Sequence, residues 1–292
     1  MPIFRDTGRV AEGIYLIDVG IWGIAKQMAV YVIKSADKIV LIDTGTKKEV
    51  ETVIKELENL GITSLDYIMV THSHMDHCGG LIDLATRFPE AEIGIPHAAQ
   101  DLRKDWDKKV EKLGLSNSRK LLEEGTELEL DVSHQLEVLE TPGHIDDHLS
   151  FLLRPQQILF VGDACGAHHL GQSFSRPSAY APYFNHERYI SSLLRLQKLN
   201  PAGLGIASYG FASGPEAANC IRTAISDYQN WRQVVLKSVK ENPDEDYVSG
   251  ELLKKFGRSP GEILEKRTDQ WVKTILRGIA RGFINSLGLM NK

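Results

Sequence analysis

The chain of 292 residues predicts an α/β fold of four layers, two mixed sheets face to face with helices on the outside. Three observations carry this. The first third is dense in strand patterns, strand and helix patterns then alternate in two blocks, and helical spacing takes over after about residue 215. Apolar content of 42% and charged content of 25% belong to an ordinary globular chain, and the length suffices for a full core. The expected boundaries are residues 1–214 for the layered domain and 215–292 for a helical C-terminal extension packed on it.

Strand patterns occupy residues 14–18, 28–33 and 38–42, with Ser35-Ala36-Asp37 turning the last two into a hairpin. The third ends in Asp43-Thr44-Gly45, a polar turn that opens an amphipathic helix over about 47–60. A strand at 66–70, a helix from Leu81 to about 88 and a strand at 91–95 follow. Residues 96–126 read as helical and charged, with Trp106 the exception and no chemistry in them. A strand at 137–140 ends in Thr141-Pro142-Gly143-His144. Residues 149–153 and 157–161 form a hairpin through Arg154-Pro155 and close on Gly162-Asp163. A helix over 187–199 leads to a strand at 203–207, which ends in Ser208-Tyr209-Gly210. Helices are then expected at 216–240, around 249–256 and at 260–287, because Ala217, Ile221, Ala224, Tyr228 and Trp231 recur at helical spacing.

Chemistry concentrates in Thr71-His72-Ser73-His74-Met75-Asp76-His77-Cys78-Gly79-Gly80. An apolar strand leads in and a glycine pair followed by a helix leads out, so these side chains sit on a strand-to-helix turn. His72 and His74 are two apart in the extended part, and both imidazoles can grip one ion from the same side. Asp76 and His77 follow where the chain turns into the helix, and they point at a second ion or a bound water. Imidazole with carboxylate suits zinc and iron alike.

The H-x-H-x-D-H pattern resembles the metallo-β-lactamase superfamily of hydrolases, with the glyoxalase II-like branch as the first choice within it. The resemblance runs from about residue 13 to 209, and it implies the rest of the ligand set. His144, on a T-P-G-H element, would join His72 and His74 on a first metal. Asp163 matches the superfamily's bridging aspartate, shared with a second metal on Asp76 and His77. Asp43 matches the aspartate that stands behind the metal loop, with a plain turn residue as the alternative. His148 is expected to support the site or the fold and not to ligate. At the end of the 203–207 strand the chain departs from the family, whose relatives carry a histidine there; its place falls to Ser208 or to Tyr209, depending on alignment. The second ion should therefore be weakly held, helped by a water on Ser208, by the Tyr209 phenol, or by His168 or His169. One or two zinc or iron ions per chain are expected. The long stretch 165–186, with Phe174, Arg176, Tyr180, Tyr183 and Phe184, reads as a packed surface loop, a substrate-lining lid or an edge for a second subunit.

The implied reaction is hydrolysis of a small-molecule thioester or carboxylic ester, with Asp76 as the catalytic residue. Two ions roughly 3.5–4 Å apart lower the pKa of water to about 7 and polarise a carbonyl. A phosphodiester is the alternative substrate, and a fold that binds a metabolite or partner with weak or lost catalysis is the alternative class. Lys and Arg number 34 against 39 Asp and Glu, and the net charge of −5 argues against a nucleic-acid partner. Without a membrane-length run or a signal-like start, a cytoplasmic protein is expected, without a membrane partner and with a homodimer as the remaining partnership. Lactamase action is less expected in a chain that is not exported. The flavodiiron branch carries a glutamate where this chain has His74. Cys78, Cys165 and Cys220, an odd and sparse set, read as reduced, small buried hydrophobes, and His97 and His134 as structural.

Overall fold

Apolar side chains alternating along the first third build antiparallel strands, and the computed structural model, which describes residues 3–168, 175–257 and 269–289, opens with four of them. β1 (Gly8–Ala11), β2 (Ile14–Asp18), β3 (Ala29–Lys34) and β4 (Ile39–Ile42) pair in sequence. Thereafter each strand is parallel to the last, which requires a crossover. α1 (Val50–Asn59) carries the chain to β5 (Tyr67–Met69), and α2 (Met75–Cys78) with α3 (Leu81–Arg87) to β6 (Glu92–Pro96). α4 (Gln100–Leu113) then leads to β7 (Arg119–Leu122), completing a seven-stranded sheet in the order β1 to β7.

The second sheet repeats the scheme with fewer crossovers. β8 (Glu127–Glu129), β9 (Gln135–Glu140), β10 (Leu149–Arg154) and β11 (Ile158–Phe160) are antiparallel neighbours. α5 (His186–Lys198) crosses to β12 (Gly203–Ile206), parallel to β11, and β13 (Gly210–Ser213) closes the six-stranded sheet. Among the described residues, three further helices follow: α6 (Pro215–Glu241), α7 (Glu245–Phe256) and α8 (Asp269–Ser286).

Period-two alternation sorts the strands' side chains into layers. Phe151, Leu153 and Phe160 meet Leu16, Tyr31 and Ile42 between the two sheets. Leu152 and Leu159, one residue out of phase, pack outward with Leu204 and Ile206 against Leu193, Ile221, Trp231 and Phe283 of the later helices. On the opposite face, Val30, Leu41, Ile68 and Ile93 cover Val53, Leu57, Leu84 and Trp106 of the earlier ones. This is the four-layer α/β sandwich. No helix among the described residues is long and apolar enough to cross a membrane.

The structure corrects the expectation that residues 96–126 are helical. The helix ends at Gly114, in left-handed conformation, and Arg119–Leu122 forms β7. Its fitness as a strand comes from the free edge of β6, which no local pattern announces. β1, β8 and β13 were likewise invisible, each being only three or four residues long at or near a sheet edge. α7 starts earlier than residue 249, because the Asp244 carboxylate accepts hydrogen bonds from the backbone N–H groups of Asp246 and Tyr247 and caps it there. The expected helical residues 260–268, like His169 and Phe174, lie outside the described residues.

Candidate metal centre

β4 and β5 run parallel in one sheet and β11 and β12 in the other, and the residues after their C-terminal ends meet at one rim of the sandwich. β9 points the same way as β11, since both are antiparallel to β10. Each candidate side chain follows one of these five strand ends, where open α/β sheets gather their sites. Asp43 follows β4, the 71–78 loop follows β5, His144 follows β9, Asp163 follows β11 and Ser208 follows β12.

Asp43 adopts a left-handed backbone (φ 63°), tolerable for a short polar side chain, and this turns its carboxylate back under the loop. It accepts from the Thr71 N–H at 2.8 Å and the Thr71 hydroxyl at 3.0 Å, and from His77 Nδ1 at 2.7 Å. The Thr71 hydroxyl also lies 2.9 Å from His72 Nδ1. Two imidazoles are thereby fixed by the atom opposite the one they present to the rim.

His72 Nε2 lies 3.0 Å from His74 Nδ1, which lies 2.8 Å from His144 Nε2. His144 Nδ1 is 2.6 Å from the carbonyl of Ser178, which can only accept, so the proton sits on Nδ1 and the Nε2 lone pair faces inward. One N–H on His74 cannot serve both neighbours. Donors bonded to a tetrahedral ion at about 2.0–2.1 Å stand roughly 3.3 Å apart, close to the spacing of this trio. A second group comprises His72, His77 and Asp163. His77 Nε2 is buried without a hydrogen-bond partner, 3.6 Å from Asp163 Oδ1 and 3.9 Å from Asp76 Oδ2. Asp163 Oδ2 faces the other way, 3.5 Å from His144 Nε2. The donor set thus fits one cation among three imidazoles and another beside His77, with Asp163 between them.

Electrostatics separates the imidazoles. Burial lowers the His74 pKa to about 3, and His144 and His77 add to the effect, so the His74 ring is neutral, the form in which an imidazole can bind a cation. Burial opposes charge on His77 too, but Asp43, Asp76 and Asp163 outweigh it and raise its pKa to about 10. A cation at His77 Nε2 would meet two of these carboxylates, Asp76 and Asp163, while Asp43 holds the ring from Nδ1.

The remaining candidates divide. Ser208 is at the site, its hydroxyl donating to Asp163 Oδ1 at 3.2 Å. Tyr209 is not brought there: its ring lies in the core between the sheets and its hydroxyl donates to the Arg5 carbonyl. The His168 backbone N–H reaches the Ser208 carbonyl, but its ring Nε2 pairs with the Cys165 carbonyl at 3.2 Å, and burial lowers its pKa to about 4. His148 stands between Thr141 and the Asp163 N–H, supporting Asp163 from behind. All three cysteines are buried free thiols, and burial raises the Cys78 pKa to about 12. His134 pairs with Asp131 away from the site.

Sequence reasoning missed a buried relay behind the centre. The Tyr189 hydroxyl donates to the Asp163 carbonyl at 2.7 Å, the Tyr228 hydroxyl donates to that of Tyr189 at 2.6 Å, and the Ser178 N–H donates to Tyr228. Helical spacing marked Tyr228 only as core. Above the donor set, Trp22, Tyr180, Trp271 and Ile275 join Arg176 around a cavity of about 300 Å³ whose floor is His74, Asp76, His144, Asp163 and Ser208. Of the alternatives for the 165–186 stretch, its described part lines this cavity.

Layers, strand ends and donor set define a metallo-hydrolase-type fold, and residues 23–204 match the Metallo-beta-lactamase superfamily. The chain belongs to that superfamily, whose members are mostly metallo-hydrolases. Over 194 residues it is 28% identical to hydroxyacylglutathione hydrolase 1 of Vibrio vulnificus (strain YJ016), covering 62% of this chain and 70% of that one. It is 29% identical over 182 residues to lactamase-like protein adaB of Aspergillus niger, covering 62% of this chain and 49% of that protein, about half its length. The fold is similar to that of a metallo-beta-lactamase family protein from Thermus thermophilus, with a TM-score of 0.66, 21% identity, and 96% and 94% of the two chains covered.

Proposed function

We propose that the protein is a metal-dependent hydrolase of a small thioester or carboxylic ester. The observation that carries this reading is Asp163, whose two oxygens face different imidazoles, His77 at 3.6 Å and His144 at 3.5 Å. His72, His74 and His144 would hold one ion, and Asp76, His77 and Asp163 the second, zinc and iron both suiting the donors. When bound, such ions lower the pKa of water and polarise a carbonyl oxygen.

The chain's own residues supply the rest. Asp76, half-buried at the start of α2 and lining the cavity, holds the attacking water and takes up its proton. Thr71 and Asp43 fix His72 and His77, Ser178 fixes His144, and the His148 ring accepts the Asp163 N–H, so the ligands need little reorganisation. Trp22, Tyr180, Trp271 and Ile275 give the cavity apolar walls beside the place where the reacting carbonyl would sit. A thioester is favoured by the similarity to hydroxyacylglutathione hydrolase 1, and a nucleic-acid substrate is disfavoured by the net charge of −5, which leaves a small phosphodiester as the alternative.

A second reading, a metabolite-binding protein with weak or lost catalysis, rests on Ser208 standing where the resembled family has a histidine. Metal content of the purified protein, with turnover of a generic thioester and a generic phosphodiester, separates the two. The hydrolase reading expects bound metal and thioester turnover, with His72→Ala losing both while keeping its circular dichroism spectrum. Metal-free, inactive protein would favour the binding reading instead.

A further inference from the structure

The last described helix decides what can sit over the ligands. Trp271, Ile275, Gly278 and Gly282 recur at spacings of four, three and four along α8, one face of a helix. A Cβ on Gly282 would collide with the Ala179 carbonyl oxygen, and one on Gly278 would lie 3.1 Å from the Tyr180 ring. The two glycines let α8 seat directly on residues 179 and 180, and that seating puts Trp271 and Ile275 on the cavity wall beside Tyr180. From the opposite side comes Trp22, 63% exposed, in the connection between β2 and β3.

The chain's four tryptophans divide accordingly. Trp106 and Trp231 are buried in the two helix-covered cores, while Trp22 and Trp271 both line this cavity. Met28 and Ile275 add apolar surface, and Arg176, buried in the same wall, presents a planar guanidinium of the kind that stacks on aromatic faces. Volume sets a second limit. About 300 Å³ lies at the small end of ligand pockets, enough for a compact acyl group.

We propose that this cavity is an acyl pocket for a compact aromatic group, so that the substrate is an aryl or arylalkyl thioester or ester, its ring held by Trp22, Trp271 and Tyr180 and its carbonyl over the ligand floor. The proposal deepens the hydrolase reading and rests on it. A ring of this kind offers flat apolar area and a quadrupole, which aromatic walls recognise at offset or edge-to-face geometry. Hydrolysis breaks the acyl carbon–sulfur or carbon–oxygen bond, with water supplying the oxygen of the aryl carboxylate and a proton to the departing thiol or alcohol.

Two measurements test it on the intact protein. The first compares turnover of the S-phenylacetyl and S-acetyl thioesters of N-acetylcysteamine. The second follows tryptophan fluorescence during titration with phenylacetate or acetate. The pocket predicts a kcat/KM about 10-fold to 100-fold higher for the phenylacetyl compound, the range a filled apolar pocket gives. It also predicts quenching by phenylacetate at concentrations where acetate has no effect. Trp271→Ala should reduce both contrasts, and Trp22→Ala, in an exposed position that does not threaten folding, should reduce the quenching. If neither thioester turns over but phenylacetate still quenches through Trp22 and Trp271, the pocket stands and the hydrolase reading falls. Equal turnover of both compounds with no selective quenching would overturn the pocket while leaving the hydrolase intact.

Discussion

One hydroxyl sets the direction of two imidazoles: Thr71, buried between Asp43, His72 and His77, is where the local H-x-H-x-D-H pattern becomes a rigid site. Asp76 differs from its neighbours in facing the cavity without a comparable anchor, which suits a group that handles water. Asp76→Asn is expected to keep metal on the three-imidazole group while turnover falls by about 10²-fold to 10⁴-fold, the usual contribution of a positioned acid-base group. Metal analysis and single-turnover kinetics on the same preparation check this, and full activity in the variant would remove Asp76 from the mechanism. At Ser208 the expected change is a gain. Placing an imidazole beside Asp163 in Ser208→His should tighten the second ion at least 10-fold, judged from what weaker supporting partners contribute. Titrating metal into demetallated protein reads this directly, and two equally tight sites before mutation would show that the serine is no deficit. His72, His74, Asp76 and His77 were legible because they share one turn and are close in sequence, whereas His144 and Asp163 were reached only through the family resemblance. Ser178 was not legible, since its part is a carbonyl reached across 34 positions and any residue has one.

Helices tell a similar story about what local pattern conveys. α1 and α5 could be read from their apolar stripes, whereas β7 and β13 exist because a neighbouring edge strand accepts them, a fact with no trace in four residues of sequence. The glycines of α8 were equally silent, because close approach to Ala179 is visible only once the helix is in place. They yield a paired expectation. Gly282→Ala should destabilise by about 1–3 kcal/mol, since the added carbon meets backbone that cannot move aside. Gly250→Ala, inside α7 where an added Cβ meets nothing, should instead stabilise by about 0.5–1 kcal/mol through helix propensity. Denaturant midpoints of the two variants against the parent decide it. Opposite signs are expected, and equal effects would mean that α8 does not seat on residues 179 and 180 as described.

At the scale of the molecule, the fold was legible as alternating layers, and its order of strands was not. Seven strands before residue 123 make one sheet and six after residue 126 make the other. Asp43, His72, His74, Asp76 and His77 follow strands of the first, while His144, Asp163 and Ser208 follow strands of the second. The exposed link Glu123-Glu124-Gly125 is the passage from one sheet to the other, and Phe4, paired with Phe211, reaches back across. Cut at Gly125, the chain would become two pieces, each holding an incomplete set of ligands and one bare apolar sheet face. Chelation is then a handshake between strangers. Coexpressed fragments 1–125 and 126–292 should copurify, and the pair should bind metal more tightly than either alone, with a melting temperature that rises with free metal concentration because only the joined form binds well. Fragments that each bind metal as tightly as the whole would refute that partition.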